Sequence, residues 1–154
     1  EQAREAVSFM RYAPEGVRGV AGATRASDFG FGFKDYFAES NKRLLTVAQM
    51  ETQLAVDNSR AIAAVDGVDV LFVGPMDLSA SLHLPERFAD PAFMDVLQLV
   101  SDNARAEGKA CGILLPDATL IPTLKEMGYT FVAVSSDVNV LTKHLKAIER
   151  ALHG

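Results

Sequence analysis

Two acidic residues stand where apolar runs end. The first run reads Leu44-Leu45-Thr46-Val47-Ala48-Gln49-Met50-Glu51, and the two-residue period of an extended chain puts Leu45, Val47, Gln49 and Glu51 on one face. The second reads Val70-Leu71-Phe72-Val73-Gly74-Pro75-Met76-Asp77, so Asp77 falls just past a buried strand, beyond a Gly-Pro turn. Carboxylates at the ends of two neighbouring parallel strands lie close enough to chelate one cation. Hard oxygen donors with no His or Cys nearby suit Mg²⁺ or Mn²⁺ better than zinc. Each residue also has an ordinary structural use, Glu51 as a salt-bridge or helix-capping group and Asp77 as the N-cap of the turn through Leu78-Ser79. The pairing of the two, and not either alone, raises the metal reading.

Such a pair needs strands that alternate with helices, and the chain supplies that rhythm. An opening helix begins at Glu1-Gln2, and residues 11–34 form a long glycine-rich loop without lasting periodicity. Residues 35–43 return to a short helical pattern. Strands are expected at 44–52, 68–74, 109–115 and 131–135, with helices at 53–65, between Asp90-Pro91 and Glu107-Gly108, from Asp117 to Gly128, and at 138–152. Asp90 is a natural N-cap with Pro91 at the first helical position, and Gly108 and Gly128 are natural stops. Near-continuous apolar strands separated by helices predict a parallel sheet covered by helices or closed into a barrel. A (β/α)8 TIM barrel takes roughly 250 residues, so four β/α units make about half of one. The alternative is a small open doubly wound domain, against which no Gly-rich phosphate turn follows any strand. We therefore expect residues 1–154 to form a single partial (β/α) barrel domain.

Composition narrows the ligand. Of 154 residues, 49% are hydrophobic and 23% charged, the balance of a globular chain that buries one core. A formal net charge of −5 without a Lys/Arg cluster argues against nucleic acid or an anionic membrane as partner and leaves a small molecule. The single cysteine, Cys111, sits in the run Ala110-Cys111-Gly112-Ile113-Leu114-Leu115 and reads as a small buried hydrophobe, which fits a reducing cytoplasm. No apolar stretch reaches the roughly 20 residues a spanning helix needs. The first residues are already helix-forming and lack both Met and a cap, from which we expect the sequence to begin inside a larger protein.

Several segments together resemble the HpcH/HpaI aldolases. They are Tyr12-Ala13-Pro14-Glu15-Gly16-Val17-Arg18-Gly19, Arg25-Ala26-Ser27, Asp35-Tyr36, Val47 to Thr52, Gly67 to Ser79, Gly112-Ile113-Leu114 and Phe131 to Asp137, in the family's order. The Gln-x-Glu and Gly-Pro-x-Asp-Leu-Ser segments at this separation are the specific part. The resemblance implies a (β/α)8 barrel of which this chain holds roughly the last four β/α units. It also implies a class II pyruvate aldolase, cleaving 4-hydroxy-2-oxo acids reversibly to pyruvate and an aldehyde through a metal-stabilised enolate. On that resemblance Glu51 and Asp77 hold the metal (Mg²⁺, Mn²⁺ or Co²⁺), and Gln49 is catalytic and contacts substrate. Gly74, Pro75, Met76 and Asp77 bind the pyruvate carboxylate through backbone N–H groups of Met76 and Asp77, and Leu114 lines the pocket. The family's enzymes are homo-oligomers, and a hexamer is the expectation here.

Departures from the family pattern are informative. The family's general-base histidine and substrate-binding arginine belong to the part before these motifs, and none of His83, His144 or His153 falls at a matching motif. His83 stands where relatives usually carry glycine after a Ser-Leu pair and reads as a surface loop residue. His144 and His153 read as solvated, and Arg18 and Arg25 as loop residues tying backbone carbonyls together. Ala13 replaces a proline and should loosen its turn, whereas Met76 replaces a small residue beside the carboxylate site. Two other functions fit the same residues: an oxaloacetate decarboxylase using the same metal site, and a catalytically incomplete metal-binding or oligomerising fragment.

Overall fold

The computed structural model describes residues 1–153. Its centre is a parallel sheet of strands β1 (Val47–Met50), β2 (Val70–Val73), β3 (Ala110–Leu115) and β4 (Phe131–Val134), in the order β1-β2-β3-β4. Sequential parallel strands of this kind form an arc of a barrel wall, as the alternation predicts. Helices α1 (Gln2–Met10) and α2 (Phe33–Arg43) precede the sheet. Then α3 (Gln53–Asp57) and α4 (Ser59–Ala63) follow β1, α5 (Pro75–Ser81) and α6 (Pro91–Ala106) follow β2, α7 (Ile121–Glu126) follows β3, and α8 (Asp137–His153) follows β4.

The core lies between one face of the sheet and helices α3 to α7, with Val7 of α1 joining it. Met50, Leu71, Val73, Cys111, Ile113 and Leu115 point into it, where they meet Val56, Ala63, Phe93, Leu97, Val100, Ala104 and Leu124. Alternate residues of the same strands, Val47, Gln49 and Leu114 among them, are exposed on the other face. Cys111 is inside the core as expected, and burial pushes its thiol up to about 11, so it stays protonated and unreactive at neutral pH.

Local chemistry shortens several expected elements. β1 starts late because the Thr46 N–H is taken by the Asp69 carboxylate at 2.7 Å, and it ends early because Thr52 turns to cap α3, its Oγ1 accepting from the Ala55 N–H at 3.1 Å. The single helix expected over 53–65 is two, broken at Asn58, whose side chain donates to the Leu54 carbonyl at 2.8 Å. Asp117 does not open α7. It caps a turn through the Thr119 N–H, and the helix begins at Ile121 with proline in its first turn. Inside the expected loop 11–34, a 3-10 segment forms at Arg25–Gly30, and α2 starts two residues before Asp35. By contrast the Asp90 cap, with Pro91 at the first position, stands as read, accepting from the Ala92 N–H at 3.0 Å.

Arg18 departs from its expected role. Its guanidinium donates to the Tyr36 hydroxyl at 3.2 Å and lies over the Tyr12 ring, 4.6 Å from its centroid, instead of binding carbonyls. With Asn41 and the Tyr12 backbone exchanging hydrogen bonds of 2.8 and 3.0 Å, the loop is pinned to α2.

Candidate functional site

The strand register stacks the exposed face into layers. Gln49, Phe72, Gly112 and Phe131 share one layer, because Gln49 pairs with Phe72, Phe72 with Gly112 and Gly112 with Phe131. Two residues further along each strand, at the C-terminal end, come Glu51, Gly74, Leu114 and Ala133. Met50 pairs with Val73 and Val73 with Ile113, so the next residues, Glu51, Gly74 and Leu114, lie side by side, and Leu114 pairs with Ala133. The Gly74 N–H still donates to the Met50 carbonyl at 3.3 Å, which holds the two strand ends together. Polar residues at the C-terminal ends of parallel strands are where chemistry sits in barrels of this kind.

Asp77 arrives from the helix after β2. Gly74 is the N-cap of α5, Pro75 its first residue and Asp77 its third, so Asp77 is not the N-cap that a turn through Leu78-Ser79 would make it. Pro75 suits the first position because its missing N–H needs no partner there. The N–H groups of Met76 and Asp77 then have no carbonyl inside the helix and remain available to an acceptor. Met76 and Asp77 are exposed, whereas Pro75, Leu78 and Ser79 are buried and anchor the helix. The Ser79 hydroxyl donates to the Met76 carbonyl at 3.0 Å, and the Gln53 N–H donates to the Ser81 hydroxyl at 3.1 Å, tying α5 to the start of α3.

Among the described residues neither Glu51 nor Asp77 belongs to an ion pair. Two hard oxygen donors carried at the end of β1 and in the first turn after β2 are of the kind that suits a cation keeping most of its coordination sphere for water or substrate, as Mg²⁺ does. They are a pair only: no group of three or more His, Cys, Asp or Glu side chains able to hold a metal occurs among the described residues. The Glu51 side chain lies over Gly74, so close that a Cβ there would meet its Cγ at 2.8 Å. Beneath this layer Phe72 and Phe131 pack edge to face, 5.8 Å apart at 70°. This aromatic floor was not foreseen. The signal for it was Gly112 inside an otherwise bulky strand, since a Cβ at Gly112 would strike both rings.

The remaining candidates lie elsewhere. His83 is exposed in the turn leaving α5 and His153 at the end of α8, whereas His144, exposed on α8, lines a cavity with Pro116, Asp117 and Ser135, the residues just past the C-terminal ends of β3 and β4. Arg25 is exposed at the start of the 3-10 segment. No described helix is long and apolar enough to cross a membrane.

This arrangement can be compared with known proteins. The sequence model of a family described as HpcH/HpaI aldolase/citrate lyase matches residues 1–143. A curated relative from Salmonella arizonae, named 5-keto-4-deoxy-D-glucarate aldolase, is 46% identical over 140 residues, which is 91% of this chain and 54% of that protein. The chain thus spans about half the length of the curated relatives it matches. A crystal structure of an HpcH/HpaI aldolase/citrate lyase family protein from Burkholderia cenocepacia superposes with a TM-score of 0.88 at 34% identity, covering 99% of this chain and 60% of that one. The HpcH/HpaI aldolase of Desulfitobacterium hafniense gives 0.86 at 28% identity, with coverages of 97% and 58%. The four parallel β/α units are therefore part of a TIM-type barrel, and the chain belongs to the HpcH/HpaI aldolase/citrate lyase family.

Proposed function

We propose that this chain carries the metal-binding carboxylates of a divalent-metal-dependent pyruvate aldolase that cleaves 4-hydroxy-2-oxo acids to pyruvate and an aldehyde. The observation that carries the reading is the placement of Glu51 at the end of β1, on the face that also presents Gln49 and Leu114, and of Asp77 in the first turn of the helix that leaves the neighbouring β2, neither in an ion pair. The name of the Salmonella relative supports the substrate class, since a 5-keto-4-deoxy-glucarate read from its keto end is a 2-oxo acid.

In the retro-aldol direction a base removes the proton of the substrate's 4-hydroxyl, the bond between C3 and C4 breaks, and its electron pair passes into the pyruvate enolate as the aldehyde leaves. A divalent cation such as Mg²⁺, Mn²⁺ or Co²⁺, held by Glu51 and Asp77, supplies Lewis acidity toward the negative charge that develops. The N–H groups of Met76 and Asp77 receive the substrate carboxylate, Gln49 orients the oxo acid through its amide, and Leu114 excludes water from one side. The exposed Met76 narrows the carboxylate end and selects among oxo acids. Self-association fits the apolar residues that α8 exposes, including Leu141, Leu145 and Ile148, and a cytoplasmic setting fits the single buried thiol.

Pyruvate methyl exchange tests this without a choice of aldehyde. In heavy water with Mg²⁺, proton NMR should show the methyl signal decaying with protein, and the decay should stop with chelator and in Glu51→Ala and Asp77→Ala. Exchange that persists under chelation and in both variants would overturn the proposal. One observation favours a second reading: none of His83, His144 and His153 falls at a matching family motif. Mg²⁺ binding without methyl exchange would mark the chain as a metal-holding part that lacks its base.

A further inference from the structure

We propose that Gly74 is a positioning residue for Glu51, its missing side chain leaving the space through which the Glu51 carboxylate reaches toward Asp77. The inference rests on the reading of Glu51 as a metal ligand.

Backbone conformation does not require glycine at this position. Gly74 has φ −91° and ψ 94°, a region open to every L-residue, and residues at the N-cap of a helix are commonly Ser, Thr, Asp or Asn. Space does require it. A Cβ built on Gly74 would lie 2.8 Å from Glu51 Cγ, 2.9 Å from Oε1 and 3.3 Å from Cδ, well inside the roughly 3.5–4.0 Å at which carbon atoms pack. All three of its nearest neighbours belong to the one side chain. Glu51 therefore lies across the end of β2, on the side from which α5 departs carrying Asp77 three residues later. A methyl group at position 74 would displace the carboxylate from its place over Gly74.

Gly112, on the same face, is the instructive contrast. A Cβ there would lie 2.6 Å from the Phe131 carbonyl oxygen and 2.7 Å from Phe72 Cδ2, so it would push on backbone and a packed ring. Relief at Gly112 requires the sheet to move. Relief at Gly74 requires only that Glu51 rotate, which leaves the fold alone and misplaces a donor.

The test measures Mn²⁺ affinity by electron paramagnetic resonance together with the thermal midpoint of the metal-free protein. Gly74→Ala should weaken Mn²⁺ binding by about 10–100-fold, the range seen when a group that orients a ligand is altered. Its metal-free midpoint should stay within about 4 °C of the parent, and any small drop should vanish in the Glu51→Ala background. Gly112→Ala should instead lower the midpoint in either background. If Gly74→Ala binds Mn²⁺ as tightly as the parent while Glu51→Ala does not, Gly74 has no positioning role. A midpoint loss in Gly74→Ala that persists with Glu51→Ala would equally overturn the inference, because the methyl would then be meeting something other than Glu51. If Glu51→Ala itself leaves Mn²⁺ affinity unchanged, the metal reading fails and takes this inference with it.

Discussion

The two faces of the sheet are built from alternate residues of the same strands, yet they serve opposite ends. On the helix-covered face Met50, Leu71, Val73, Cys111, Ile113 and Leu115 are all at most 2% exposed. On the other face Leu114 is 44% and Phe131 43% exposed, and Gln49 and Glu51 project among them. One face is close-packed, so its residues are constrained by volume. The other keeps apolar side chains beside free oxygen donors, which suits it to hold something other than itself. A two-residue period thus separates what holds the chain together from what the chain does.

The largest effect that could break this comparison is a truncation on each face. Leu71→Ala removes a fully buried side chain from the middle of the sheet and should cost about 2–5 kcal/mol, a large part of the stability of a domain this size. Leu114→Ala, one strand away on the open face, should cost less than about 1 kcal/mol in urea unfolding while weakening pyruvate binding. Equal losses of stability from the two changes would show that the open face is core as well.

The same division explains how much could be read from the chain. Alternation of apolar runs with capped helices was enough for the parallel sheet and the two flanks of α6, because Asp90, Pro91 and Gly108 carry their backbone roles in their side-chain chemistry. Gln49 and Glu51 were legible as neighbours because a strand's period is fixed. What was not legible depended on partners distant in sequence. The late start of β1 needs Asp69, 23 residues away, and the break between α3 and α4 depends on a side-chain bond that Asn58 is free to make or not. Helix α5 was read only as a Gly-Pro turn, since seven residues are too few to show a helical period. The Phe72–Phe131 floor and the crowding of Glu51 against Gly74 arise between strands, where no single run of sequence records them.

A smaller effect tests whether polar groups on the covered side obey the same rule. Ser101 is buried within α6, and its hydroxyl donates to the Met127 carbonyl at 2.6 Å, closing the end of α7 against α6. Ser101→Ala should leave that carbonyl short of a donor and cost about 1–3 kcal/mol. Gln49→Ala, equally polar but on the open face, should be within about 0.5 kcal/mol of the parent. A neutral Ser101→Ala would mean that water replaces the hydroxyl there and that the covered face is less dry than its burial indicates.

The smallest predicted effect is a gain, and it concerns three helix ends of one design. After α6 the Gly108 N–H donates to the Arg105 carbonyl at 3.0 Å and the Lys109 N–H to the Ala104 carbonyl at 2.9 Å; after α7 Gly128 and Tyr129 repeat the pattern on Lys125 and Leu124. Both are Schellman closures with glycine in the left-handed region, at φ 69° and 98°. Helix α5 closes in the same way, the His83 N–H on the Ala80 carbonyl at 3.1 Å and the Leu84 N–H on the Ser79 carbonyl at 2.8 Å, but its left-handed residue is histidine at φ 58°. A Cβ in that region costs roughly 1–2 kcal/mol, part of which glycine gives back through its freer unfolded chain. His83→Gly should therefore stabilise by about 0.5–1 kcal/mol and raise the midpoint by up to about 4 °C, with Mn²⁺ affinity unchanged. If His83→Gly instead lowers metal affinity or pyruvate exchange, the imidazole reaches the open face, and the helix end trades stability for a place near the site.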